Sequence, residues 1–237
     1  VHVSPPPTTT PTLRSIRGLS IALAVLLAVY VLALLLRTAV LSIVQSELST
    51  TDGASTTELI AGFDYLMAAS LAAELLTAIV GTAVVNVWAV WFHRTRINAE
   101  AFAPGRIRHA SWLAAGSWFI PVVNLYLPKR IGNDIWTATT GRSAGAGRWL
   151  LHTWWWCWLA YFLAYANDSL VSWYDRDYVG AATDTILTSQ TANAIGTVAA
   201  VLAICYVRRL SSRQQSRIEG TPGPQHTATA RTKTGQA

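Results

Sequence analysis

The chain has 237 residues, of which 52% are hydrophobic and only 13% charged. Soluble domains carry about 25% charged residues, so this composition, with a mean hydropathy of +0.33, points to lipid as the main solvent. The net charge of +6 comes mostly from arginines flanking apolar runs. Such arginines act as topology signals and anionic-lipid contacts, and no aromatic-and-basic recognition module accompanies them to suggest nucleic acid.

Residues 1–17 begin with a Pro/Thr-rich stretch that cannot bury apolar area, so a disordered tail is expected there. Arg14 and Arg17 precede the first long apolar run, 19–44. At about 1.5 Å per residue it crosses a hydrocarbon core of roughly 30 Å with residues to spare. An acidic stretch, 45–64, contains no Lys or Arg and leads into a second apolar run, 65–92. A basic loop follows, with Arg94, Arg96, Arg106 and Arg108 around a Pro104-Gly105 turn.

Segment 111–127 is too short to be a comfortable span, reaching about 26 Å as a straight helix. Pro121 removes a backbone hydrogen bond within it, and Pro128 stops it. Lys129 and Arg130 come next, and Ile131, Ile135 and Trp136 fall on one face at helical spacing, as in a short helix lying at an interface. A third apolar run, 149–166, opens with five tryptophans in ten residues, an aromatic belt typical of a membrane boundary. The last run, 186–207, carries several small residues suited to close helix contact. Residues 208–237 are expected to form a disordered basic tail.

Charge decides the topology, because positive residues are retained in the cytoplasm. If the 110–136 region enters and leaves by one side, sixteen of the eighteen Lys and Arg residues lie cytoplasmic, leaving Arg37 inside a helix and Arg176 in an acidic external loop. If 111–127 crosses, the second basic patch and the C-terminal tail move outside. The expected fold is therefore an all-α integral membrane bundle. It has four transmembrane helices, both termini cytoplasmic, and one re-entrant or interfacial segment broken by proline.

The order Arg94, Asn98-Ala99, Gly116, Trp118-Phe119, Pro121, Asn124-Leu125, Pro128 and Trp136 resembles the signature of a bacterial membrane family, domain of unknown function 4328. Ser117, between Gly116 and Trp118, departs from that signature. The resemblance implies a multi-pass protein of the bacterial plasma membrane and brings no activity with it. Physically, Pro121 frees a carbonyl one turn back that Asn124 could satisfy. The pair makes either a fixed kink sealing the bundle or a broken-helix site for a small solute.

Glu74 lies near the middle of the second run, where an ionised side chain costs at least ~2.5 kcal/mol and implies a partner. Arg37, about one turn away in depth, is that partner. The pair either fixes the first hairpin or serves a proton or cation relay. Cys157 and Cys205 match neither a disulfide framework nor a metal spacing. Without a nucleophile motif or phosphate-binding loop, no enzyme, metal or cofactor is expected. The functional expectation is a scaffold whose cytoplasmic face, with Arg94, Arg96, Arg106, Arg108, Lys129 and Arg130, meets anionic lipids or a protein partner. A small channel or transporter is the alternative.

Overall fold

The computed structural model describes residues 13–50, 56–141, 145, 147–174 and 180–220, with the side chains of 48–63 and 168–184 left out. The tail 1–12, Arg142, the loop around Arg176 and residues 221–237 lie outside them. Every described element is a helix.

Four are long: α1 (Arg17–Thr50), α2 (Thr56–Phe102), α6 (Arg148–Tyr174) and α7 (Gly180–Glu219). Between α2 and α6 lie two single turns, α3 (Leu113–Gly116) and α4 (Pro121–Asn124), and then α5 (Leu127–Thr140). Three of the four, α1, α2 and α7, are long and apolar enough to cross a membrane. Large apolar side chains such as Ile21, Leu32, Leu71 and Ile79 stand more than half exposed along them. In water such a surface would be a liability, whereas in lipid it is the solvated face.

Helices α2 and α7 outrun their apolar runs. With 47 residues, α2 is about 70 Å long, far more than a hydrocarbon core of roughly 30 Å. Arg94, Arg96 and Asn98 therefore ride on its last turns and not in a loop. Likewise α7 continues through Glu219, so residues 208–219 are helical, contrary to the expected disordered tail. The reason is visible in the burial: Tyr206, Val207, Leu210 and Gln214 recur at helical spacing and are fully enclosed.

The helices form an open arc. Helix α1 packs against α2 and α7, and α7 packs against α6. No comparable backbone packing joins α2 to α6 among the described residues. These two edges instead meet through long side chains: the Trp88 and Trp154 rings stack at 4.8 Å.

The central segment closes one end of this arc. Pro121 does not interrupt a helix but begins one. Ile120 before it is extended (φ −100°, ψ 111°), as the residue preceding a proline prefers, and Pro121 opens α4. A four-residue turn rises only about 6 Å, so neither α3 nor α4 spans a bilayer by itself. Helix α5 departs from the interfacial expectation in one respect: Ile131, Ile135 and Trp136 are fully buried against the bundle and not turned to lipid.

Candidate functional site

Two regions lie on either side of the central segment. The first is a polar lock at the end where α2 and α7 finish. Asn98 is wholly buried. Its amide nitrogen donates to the Arg14 carbonyl at 2.9 Å, and its amide oxygen accepts from the Arg14 backbone N–H at 3.0 Å. Gln214, also wholly buried, donates to the Thr95 carbonyl at 3.0 Å and to the Thr139 hydroxyl at 3.1 Å. Trp91 donates to the Ser211 hydroxyl at 3.0 Å. These bonds tie the N-terminal approach, α2, α5 and α7 together at one end, which places α5 at the same end of the bundle as the last turns of α2. The Arg213 guanidinium lies over the Trp136 ring and that of Arg217 over Phe102.

Basic groups gather on the outer surface of this end. Arg106, Arg108 and Arg130 are exposed and line a cleft of about 350 Å³ with His109, Asn133 and Asp134. Arg96 is buried instead, donating to the His109 carbonyl at 2.6 Å and pairing with Glu100 at 3.4 Å. It holds the 103–112 loop down and is not a free lipid contact. Arg94 is half-buried on α2. Lys129 donates to the Leu151 carbonyl at 3.1 Å. Burial, with help from the Arg148 charge, lowers its pKa to about 8.

The second region is the space between α2 and α6. Trp118 of the family motif packs edge-on against Trp88 and Trp158, each with centroids 5.8 Å away, and plugs one end. Beyond it lies a cavity of about 320 Å³, walled by Trp88, Trp154, Trp158 and Phe162 on one side and by Gly196, Ala199, Ala200 and Ala203 of α7 on the other.

The glycines here are required by contact. A Cβ on Gly196 would meet the Tyr161 ring at 2.8 Å, and one on Gly81 would meet Tyr30 at 3.2 Å. Tyr30 and Tyr161 share a hydrogen bond of 2.7 Å across α1 and α6. Beyond them an adjoining cavity of about 400 Å³ reaches Glu74, Thr82, Asn86 and Phe119.

Glu74 and Arg37 come together as their depths require, with Oε2 and Nη2 2.6 Å apart. The second Arg37 nitrogen, Nη1, donates to Asn193 Oδ1 at 2.7 Å, and Asn193 donates to Thr38. The arginine side chain is 10% exposed and the glutamate 38%, so the carboxylate faces the cavity while the guanidinium is enclosed. Tyr165 donates to the other Glu74 oxygen at 3.4 Å.

Asn124 departs from expectation. Its side-chain oxygen, an acceptor, is buried without a hydrogen-bond partner, and Pro121 opens α4 rather than freeing a carbonyl inside a helix for the Asn124 amide nitrogen to brace. The residue lines the aromatic cavity instead. Of the other motif positions, Pro128 is buried in the first turn of α5, and Phe119 is exposed. Gly116 lets the Trp112 ring approach to 3.2 Å of where a Cβ would stand. The motif thus serves two structures: Asn98 and Trp136 belong to the polar lock, Trp118 and Asn124 to the cavity. Gln214, Tyr30 and Tyr161 went unremarked in the sequence. The repeat of Tyr206, Leu210 and Gln214 at four-residue spacing was the available signal for the first.

Among the described residues no cluster of His, Cys, Asp or Glu is disposed to hold a metal. The architecture is thus that of an all-α protein with apolar helices of membrane-spanning length. The family model for Domain of unknown function (DUF4328) matches residues 51–212. The chain belongs to that family. No curated protein and no solved structure matches it.

Proposed function

We propose that this is a protein of the bacterial plasma membrane with four transmembrane helices, α6 being the fourth span, and both termini cytoplasmic. Its 110–136 region enters and leaves by the cytoplasmic side, and the protein acts as a non-enzymatic scaffold. The 27 residues of α6 give it ample length, about 40 Å. Its mean hydropathy is held down by tryptophans and tyrosines, which are at home at a bilayer boundary.

The observation that carries the scaffold reading is the cleft of Arg106, Arg108 and Arg130. Two separate elements bring three exposed guanidiniums together around a cleft that contains a single carboxylate, Asp134. Like charges brought together need an anion, and a guanidinium fork suits phosphate or carboxylate. The occupant is an anionic phospholipid headgroup or an acidic segment of a cytoplasmic partner.

Replacing Arg106, Arg108 and Arg130 by Gln should leave the protein folded in the membrane. It should also strip the anionic lipid or partner that co-purifies with the unaltered chain. Equal retention by both proteins would sink the scaffold reading. A cysteine at Gly145 labelled in intact cells by an impermeant reagent would sink the topology.

A second reading, solute passage, is favoured by one observation: the Glu74 carboxylate faces a cavity at membrane depth. Flux in liposomes that is lost in Glu74→Ala would select it.

A further inference from the structure

A groove of about 670 Å³ runs between α1 and α7 and shares no lining residue with the basic cleft or the aromatic cavity. On α1, Arg17, Ile21, Val25 and Ala28 reach it from one helical face. On α7, Ile204, Arg208 and Ser212 do the same.

The lining is graded along the bundle axis. Its inner part is aliphatic: Ile21 and Val25 stand more than half exposed, and the small side chain of Ala28 leaves the floor open. Arg17 and Arg208, both exposed, fall just outside the apolar runs 19–44 and 186–207. Beyond them come the exposed hydroxyls of Ser212 and Ser216. From Arg17 to Ala28 the helix rises about 16 Å, close to half of a roughly 30 Å hydrocarbon core. The groove is therefore as deep as one leaflet.

Neither guanidinium makes an ion pair among the described residues. The carboxylate on the lining, Glu219, lies about 16 Å past Arg208 along α7 and accepts from the Gln215 amide at 2.9 Å. Two arginines thus face an aliphatic slot at the bilayer boundary with no acid at their own level. A guanidinium fork suits a phosphate oxygen pair. A free phosphate would gain nothing from Ile21, Val25 and Ala28, whereas a lipid uses both halves.

We infer that the α1–α7 groove seats one anionic glycerophospholipid, its phosphate at Arg17 and Arg208 and one acyl chain along Ile21, Val25 and Ala28. This seat depends on the bundle being embedded in a bilayer, as proposed above, and not on the scaffold role of the cleft.

The full chain with Arg106, Arg108 and Arg130 replaced by Gln, which silences the cleft, is placed in nanodiscs of equal phosphatidylglycerol and phosphatidylcholine. Native mass spectrometry after mild detergent extraction then counts the lipids retained. One phosphatidylglycerol per chain is expected, preferred about tenfold over phosphatidylcholine. Arg17→Gln with Arg208→Gln should weaken it about tenfold. Ala28→Phe, which fills the floor and keeps both charges, should weaken it as well.

Equal retention of the two lipids would overturn the site. So would a loss in the arginine variant that Ala28→Phe does not share, because the lipid would then be held by surface charge alone. Should Ala28→Phe fail to fold, glycerophosphoglycerol, the same headgroup without acyl chains, decides. If it displaces the lipid as well as intact phosphatidylglycerol does, the groove is an ion site and not a lipid seat. A cleft-silenced chain that keeps no lipid sinks the groove and leaves the scaffold reading standing. A chain that alkaline carbonate washes off the membrane sinks both.

Discussion

The polar lock and the aromatic cavity sit at neighbouring levels of one bundle and are built on opposite rules. In the lock, Asn98 and Gln214 are wholly buried amides whose hydrogen bonds tie four chain segments together. In the cavity, large rings enclose space and Trp88, Trp118 and Asn124 keep unpaired polar atoms. Beyond the hydrocarbon, helices have no lipid to hold them, so specific hydrogen bonds must fix where they end. Inside it, lipid can occupy what the helices leave open, and close packing is less strictly demanded. On the proposed membrane placement, a rigid end and a fillable middle follow from the change of solvent along the bundle axis.

The comparison breaks most readily at Asn98. Asn98→Leu leaves the Arg14 backbone N–H and carbonyl without their partner, and should cost about 3 kcal/mol at roughly 1–3 kcal/mol per unpaired buried group. Thermal unfolding in detergent measures it. A loss no larger than that of Val84→Ala in the cavity wall would show that the lock is not the stiffer half.

Next in size is the Arg37–Glu74 pair. Glu74→Gln and Arg37→Gln should each lower the yield of folded protein, and the double variant should recover part of it. A coupling of about 1–2 kcal/mol is expected, modest because the carboxylate is partly exposed. Strict additivity in the double-mutant cycle would remove the pair from the account.

Gly196→Val tests the middle of the bundle. Its side chain would collide with the Tyr161 ring and push it off Tyr30, for roughly 1 kcal/mol. Tyr161→Phe, which deletes the shared hydroxyl bond without a clash, should cost less. If Gly196→Val were neutral, the α6–α7 contact would be looser than drawn.

The smallest effect sharpens the lock's rim. With its folded pKa lowered from 10.5 to about 8, Lys129 binds fewer protons folded than unfolded between those values. Stability therefore rises with pH across that window, because the unfolded state holds more protons there. Below about pH 8 the full cost of burying the charge is present. Comparing the native chain with Lys129→Gln over pH 8–10.5 isolates this contribution. Parallel profiles would mean that the amine is not desolvated.

Apolar run length and arginine distribution made the long helices and the shared basic end legible in advance. Glu74 announced a partner by its cost, and Arg37 was the one basic residue within reach. Other features were out of sight for physical reasons. Propensity and hydropathy say where a helix leaves the hydrocarbon, not where it ends, so the last turns of α2 and α7 were assigned to loop and tail. They persist because Trp91, Thr95, Leu210 and Gln214 are buried by neighbours distant in the chain. Pro121 was readable as a break, but not as the first residue of a new turn.

What residue chemistry determined alone is the solvent of each stretch: apolar runs for lipid, arginines for the aqueous boundary, proline for the interruption. Which faces meet, and therefore that α2 and α6 stand apart while Asn98 finds Arg14, was decided only by the tertiary structure. Transfer between solvents is a property of each side chain, whereas a cavity or a lock is a property of several segments held at once.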